Sequence, residues 1–231
     1  MQEREREHGA MRIVVIGSGR IGGTITRRLA QLGHDVVVAN ARGPQTLEDL
    51  VHETGATATS TADLPADADV VVLAIPLAAI PDLPPLPRGA IVIDAANYVP
   101  GVRDPAIPAI EAGEPESKWT AEQLGRPVIK ALNTITARSQ QEHGRPPGAA
   151  DRIAAPVAGD DEEAKQRVID LVDALGFQAF DAGKLADSWR QQPGTPVYTA
   201  DLPLDAAQDA INAARPEQST AWRDAVRSTT R

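Results

Sequence analysis

Arg12-Ile13-Val14-Val15-Ile16-Gly17-Ser18-Gly19-Arg20-Ile21-Gly22 joins a short β-branched run to three glycines spaced G-x-G-x-x-G. Such a turn is common by itself, and its context decides what it means. An apolar strand leads in. A helical pattern of Ile21, Ile25, Leu29 and Leu32 leads out and is broken at Gly33 and His34. Asp35 to Ala39 then gives a second strand of nearly continuous valine, as expected for a strand covered on both faces. In this setting Gly17 permits the tight turn, Gly19 lets a phosphate approach the backbone, and Gly22 lets the helix pack close to the sheet. The helix N-terminus offers unpaired N–H groups and a partial positive charge to a pyrophosphate. Dinucleotide binding is the reading that this fit supports, against a bare structural turn.

Outward from that unit the alternation continues. Thr46 to Thr54 reads as a helix, Ala56 to Thr59 as a weak third strand and Val70 to Ile75 as a fourth. Pro76 stops that strand, and Leu77 to Pro87 is so rich in proline that only a short or broken helix fits. Ala90 to Asp94 is a fifth strand. Tyr98 to Gly125 is expected to be a loop with one short helix around Trp119 to Leu124, and Val128 to Leu132 a sixth strand. After a Gly/Pro-rich connection from His143 to Ala150 come a strand at Arg152 to Ala158, an amphipathic helix at Asp161 to Leu175 and a strand at Phe177 to Phe180. From Asp181 the chain is polar, with two weak helical patterns.

Alternating strands and helices require parallel pairing through right-handed crossovers. The expected fold is α/β, a doubly wound, mainly parallel sheet of the NAD(P)-binding Rossmann type with a small C-terminal extension. Residues 1–10 are read as a mobile N-terminal extension, 11–189 as the dinucleotide-binding domain and 190–231 as a tail of weak helical character.

Composition agrees and excludes. Hydrophobic residues make up 42% of the chain but aromatics only 3%, so the core is built from Val, Ile, Leu and Ala. A net charge of -9 without a basic block repels a nucleic-acid backbone, and nucleic acid is not expected as a partner. There is no cysteine, which rules out disulfides, thiolate metal sites and a cysteine nucleophile. No apolar run reaches membrane-spanning length and the N-terminus lacks an apolar signal core, so a cytoplasmic protein without a membrane partner is expected.

Selectivity between coenzymes is set at the end of the second strand, where an acid would bind the ribose hydroxyls. Asn40-Ala41-Arg42-Gly43 stands there instead. Arg42 can pair with a 2′-phosphate, which favours NADP(H), or can be a solvated loop arginine. Ligands of parallel sheets lie beyond the carboxyl ends of the strands. At such ends Ile75 and Pro76 either wall the nicotinamide or merely terminate a strand. Asn97, Asn133 and Thr134 lie at such ends too; the two asparagines can donate to ligand carbonyls or cap the following turns.

No metal site and no catalytic acid–base residue is identified. Asp160-Asp161-Glu162-Glu163 opens a helix and is explained by capping and dipole compensation. His34 and His143 sit in turns and read as structural. The Tyr-x-x-x-Lys pair of short-chain dehydrogenases is missing: Val102 and Leu202 stand where lysine would follow Tyr98 and Tyr198. Hydride transfer between flat rings needs proximity and stacking more than acid–base catalysis. The residues therefore suit an NADP(H)-linked oxidoreductase acting on a small redox substrate, or a binding module that senses NADP(H) without turnover.

The succession Ile16 to Gly22, Leu32-Gly33-His34, Ile75-Pro76, Ala131-Leu132-Asn133-Thr134-Ile135, Ala158-Gly159-Asp160-Asp161 and Asp181-Ala182-Gly183 resembles the NADP oxidoreductases dependent on coenzyme F420, from Met11 to about Trp189. The resemblance implies a compact, commonly homodimeric protein that passes hydride between NADP(H) and a deazaflavin; beside that implication, a flavin is the alternative second ligand. Carried over by position, Ser18, Arg20 and Ile21 surround the pyrophosphate, Ala41 and Arg42 the 2′-phosphate, and Ile75, Pro76 and Asn97 the nicotinamide. Asn133 to Ile135 would border the second ligand. Three features depart from the pattern: Ala41 replaces a serine, Asn133 a histidine, and the end of the chain is polar where an apolar helix would close the fold.

Overall fold

The computed structural model describes residues 9–229; of the extension expected over 1–10, residues 1–8 lie outside them. The first strand, β1 (Arg12–Ile16), is followed by α1 (Arg20–Gln31) and β2 (Asp35–Asn40). A 3-10 turn at Pro44–Leu47 leads into α2 (Glu48–Thr54), and β3 (Thr57–Ser60), β4 (Val70–Leu73) and β5 (Ile91–Asp94) bring the sheet to five of its six strands. Between β4 and β5, proline leaves room only for a 3-10 helix at Leu77–Ala79.

Six strands pair in the order β3-β2-β1-β4-β5-β6, all parallel, where β6 is Ile129–Lys130. The chain reverses direction across the sheet between β1 and β4, which opens a crevice at their carboxyl ends. Both faces of β1 are sealed. Ile13 and Val15 pack with Ile25 and Leu29 of α1 and with Phe177 on one side, while Val14 and Ile16 pack with Val71, Leu73, Val92 and Leu185 on the other. Burying each such side chain is worth about 2 kcal/mol, which explains the unbroken valine and isoleucine.

Several expectations are corrected. The stretch from Tyr98 to Gly125 holds two helices, α3 (Pro108–Glu111) and α4 (Glu116–Leu124), because Pro108 suits a first turn and Gly125 closes α4 in the left-handed region. The sixth strand is shorter than expected, since Leu132 turns out of it with φ 62°. A short helix not expected from the sequence, α5 (Ala137–Glu142), is capped by the Thr136 side chain, which accepts from Ser139 N.

Arg152 to Ala158 and Phe177 to Phe180 do not extend the six-stranded sheet. As β7 (Ala154–Val157) and β8 (Gln178–Asp181) they form a parallel pair around α6 (Glu162–Ala174), joined to β6 by an antiparallel bridge between Lys130 and Ala158. The weak helical patterns near the C-terminus are two full helices, α7 (Leu204–Ala213) and α8 (Pro216–Thr229). Ala207, Ala210 and Ile211 of α7 pack with Ala154 and Val197. On α8, Arg223 and Arg227 both reach Glu111 of α3.

Candidate functional site

The glycine turn shows three separate demands. Gly17 has φ 109°, and a Cβ there would stand 2.3 Å from the Ala74 carbonyl oxygen. A Cβ on Gly22 would fall 1.8 Å from the Gly17 carbonyl oxygen, so α1 can approach the turn only without one. Gly19 differs: a Cβ there meets nothing within 4 Å, and its φ of -71° suits any residue. The protein itself does not require glycine at this exposed position, whereas a close ligand would.

Gly19 is also the N-cap of α1, which carries neither a side-chain cap nor an acid in its first turn. The leading N–H groups of such a helix have no acceptor within it and could hold an anion. Arg20 and Arg42 are both exposed, and neither guanidinium has an ion-pair or hydrogen-bond partner among the described residues. Ile21 is half-buried against the core that lies beneath α1.

Asn40 sits under this region, buried. Its Nδ2 donates to Ser18 Oγ at 3.0 Å and to Thr46 Oγ1 at 2.9 Å, and its Oδ1 accepts from Arg42 N at 2.9 Å. All of its hydrogen-bonding hydrogens are thus spent on the two loops, so it holds Ser18, Ala41 and Arg42 in place. Ala41 is exposed and adds no side-chain donor.

At the carboxyl ends of β4 and β5, Pro76 is exposed and Ile75 and Asn97 are half-buried. Asn97 and Asn133, expected either to meet a ligand or to cap turns, bind one another. Asn97 Nδ2 donates to the Asn133 carbonyl and Asn133 Nδ2 to Asn97 Oδ1, both at 3.0 Å. Asn133 also donates to Gln191 O and accepts from Gln191 Nε2, which leaves its amide committed. Asn97 keeps one side-chain N–H without a partner among the described residues. Thr134 is buried, and its carbonyl accepts from Thr199 N, which draws the segment after Trp189 across the end of β6.

Sequence reasoning missed the charged groups beneath this wall. Lys130 is fully buried; its Nζ donates to Ala96 O and lies 3.6 Å from Asp94, whose other oxygen accepts from Ala96 N. Ser117 Oγ also donates to Asp94, at 2.7 Å. Glu116 accepts from Tyr98 N at 3.1 Å, and burial pushes its carboxyl up to about 7 even though Lys130 and Arg223 draw it down. A signal did exist: a lysine in an otherwise apolar strand needs a buried partner.

Within the acidic run, Asp161 caps α6, while Asp160 reaches another element. Asp161 accepts from Ala164 N at 3.0 Å, and Asp160 from Leu185 N at 3.1 Å. Among the described residues no group of three or more His, Asp or Glu could hold a metal ion, and no helix is long and apolar enough to cross a membrane.

Comparison with known proteins fits this geometry. Among solved structures, the chain is similar to the hypothetical protein SMa0349 from Sinorhizobium meliloti, with TM-score 0.72 and 27% identity over 85% of this chain and 96% of that one. It is also similar to an Arthrobacter sp. FB24 protein described as a candidate F420-dependent NADP-reductase, with TM-score 0.61 and 26% identity over 78% of this chain and 87% of that one. A stretch of 61 residues is 46% identical to the protein YjhV of Escherichia coli (strain K12); it covers 26% of this chain and 44% of YjhV, less than half its length. Residues 12–98 match the model of the family described as NADP oxidoreductase, coenzyme F420-dependent. The resemblance read from the sequence is thereby shown over residues 12–98.

Proposed function

We propose that the protein uses NADP(H) in preference to NAD(H) and transfers hydride between it and a deazaflavin of the F420 type, a flavin or another conjugated acceptor. The observation that carries the coenzyme reading is Gly19, open on its ligand side at the uncapped start of α1, with an Arg42 guanidinium that has no partner among the described residues two residues beyond Asn40. A diphosphate fits the main-chain amides after Gly17, and Arg42 supplies the charge that a 2′-phosphate requires.

NADPH supplies the hydride when bound, and the reduced acceptor takes its proton from water. The residues of this chain bind and orient. Ile75 and Pro76 give an apolar wall, Asn97 keeps one oriented N–H, and Thr134 and the segment from Gln191 to Thr199 border the acceptor side. The absence of an acid–base dyad from the expected site suits two flat rings exchanging hydride. A cytoplasmic homodimer acting on a small molecule, without nucleic acid or membrane, belongs to the same proposal.

The test is NADPH oxidation assayed with a deazaflavin, a flavin and a quinone. Turnover with at least one of them is expected. Tight NADPH binding with no turnover on any acceptor would instead favour a sensing module.

A further inference from the structure

Asp104 lies in the proline-rich stretch after β5 and is buried, 3% exposed. Its Oδ1 accepts from Ala78 N and its Oδ2 from Val99 N, each at 3.0 Å. Ala78 stands two residues beyond Pro76, in the 3-10 helix that follows β4. Val99 stands two residues beyond Asn97, in the loop that follows β5. One carboxylate therefore spans the two loops that would wall the nicotinamide.

The turn that presents Asp104 is closed on itself: Asp104 N donates to Val99 O and Gly101 N to Asp104 O. Arg103 donates to Asn97 O, at 3.0 Å, from the same turn. A buried carboxylate is costly unless both of its oxygens are used, and here each takes one main-chain N–H from a different loop. An apolar side chain would fill the space but would leave two amides unpaired and the loops free to slide.

We propose that Asp104 is a positioning residue of the nicotinamide site: it fixes the spacing between Ile75-Pro76 and Asn97, and so holds the reacting ring without taking part in coenzyme affinity. The inference rests on the reading of those three residues as the nicotinamide wall. The diphosphate and the 2′-phosphate are gripped elsewhere, at the glycine turn and Arg42, so affinity and ring placement are separable.

The experiment is an NADPH titration of wild type, Asp104→Ala and Asp104→Asn, followed by the fluorescence of the reduced nicotinamide, alongside turnover with whichever acceptor serves the wild type. Wild type is expected to raise the emission of bound NADPH, because the wall shields the ring from water. Both variants should bind NADPH within about threefold of the wild-type Kd and lose that rise, while kcat falls about 10- to 100-fold, as expected for a misplaced reactant. Asp104→Asn is isosteric and can accept only one of the two amides, so it carries the test should Asp104→Ala fail to fold. Unchanged emission in the variants, equal loss of affinity and emission, or a wild type that binds without any rise would each overturn the proposal. A wild type that does not bind NADPH at all overturns the coenzyme reading instead.

Discussion

Asn40 donates from Nδ2 to Ser18 Oγ at 3.0 Å, tying the turn that would hold the diphosphate to the loop that carries Arg42. The same amide accepts from Arg42 N. The residue that stands where an NAD-selecting acid would be is thus the bracket that sets Arg42 in place.

Changing that bracket should change coenzyme preference. Asn40→Asp loses the donors to Ser18 and Thr46 and brings a negative charge toward the 2′-phosphate, while offering an acceptor to unphosphorylated ribose hydroxyls. The ratio of Kd values for NADH and NADPH should move toward NADH by about 10- to 100-fold, corresponding to roughly 1–3 kcal/mol of charged hydrogen bonding. Parallel titrations of the two coenzymes measure it.

The glycines should separate folding from binding. Gly22→Ala forces a Cβ to 1.8 Å from the Gly17 carbonyl oxygen and should destabilise the fold by about 3 kcal/mol or more, seen as a lower Tm. Gly19→Ala meets no protein atom and should keep the wild-type Tm. Its methyl group stands where the diphosphate would approach, so NADPH affinity should fall at least about tenfold. Loss of Tm without loss of affinity at Gly19 would contradict the placement.

Glu116 should make stability depend on pH. Burial raises its folded pKa to about 7 from an unfolded value near 4.5. Between those values the folded state holds a proton that the unfolded chain has released, so stability is greatest below pH 4.5 and declines as pH rises through 7. The full difference is worth roughly 3 kcal/mol. Glu116→Gln keeps an acceptor for Tyr98 N and should flatten this contribution. Denaturant unfolding of both proteins from pH 5 to 8 tests the sign.

The sheet was legible because its signal is local. Valine-rich strands, glycine breaks and helical periodicity sit within each βαβ unit, and β1, α1, β2 and β5 fall within a residue or two of expectation. What was not legible depends on distant contacts. Leu132 leaves its strand in the left-handed region while Gln140, eight residues on, takes its carbonyl. The pairing of Asn97 with Asn133, and of Asn133 with Gln191, joins positions 36 and 58 residues apart, so each asparagine read alone offered only a donor or a cap. Asp104 carries no local signal in the sequence, because its partners lie on two separate loops. The polar surface of α8 left its helical pattern weak, and its close approach to Gly194 is set by shape, with a Cβ on that glycine only 2.6 Å from Trp222 Cβ.

The central claim is that main-chain amides after Gly17 bind a dinucleotide diphosphate and that Arg42 selects the phosphorylated form. Calorimetric titration of wild type and Arg42→Glu with NADPH and NADH tests it most directly. The account predicts heat with both coenzymes, tighter binding of NADPH by wild type, and loss of about tenfold or more of NADPH affinity in the variant with NADH unchanged. No heat with either coenzyme, or an equal loss for both, would contradict it.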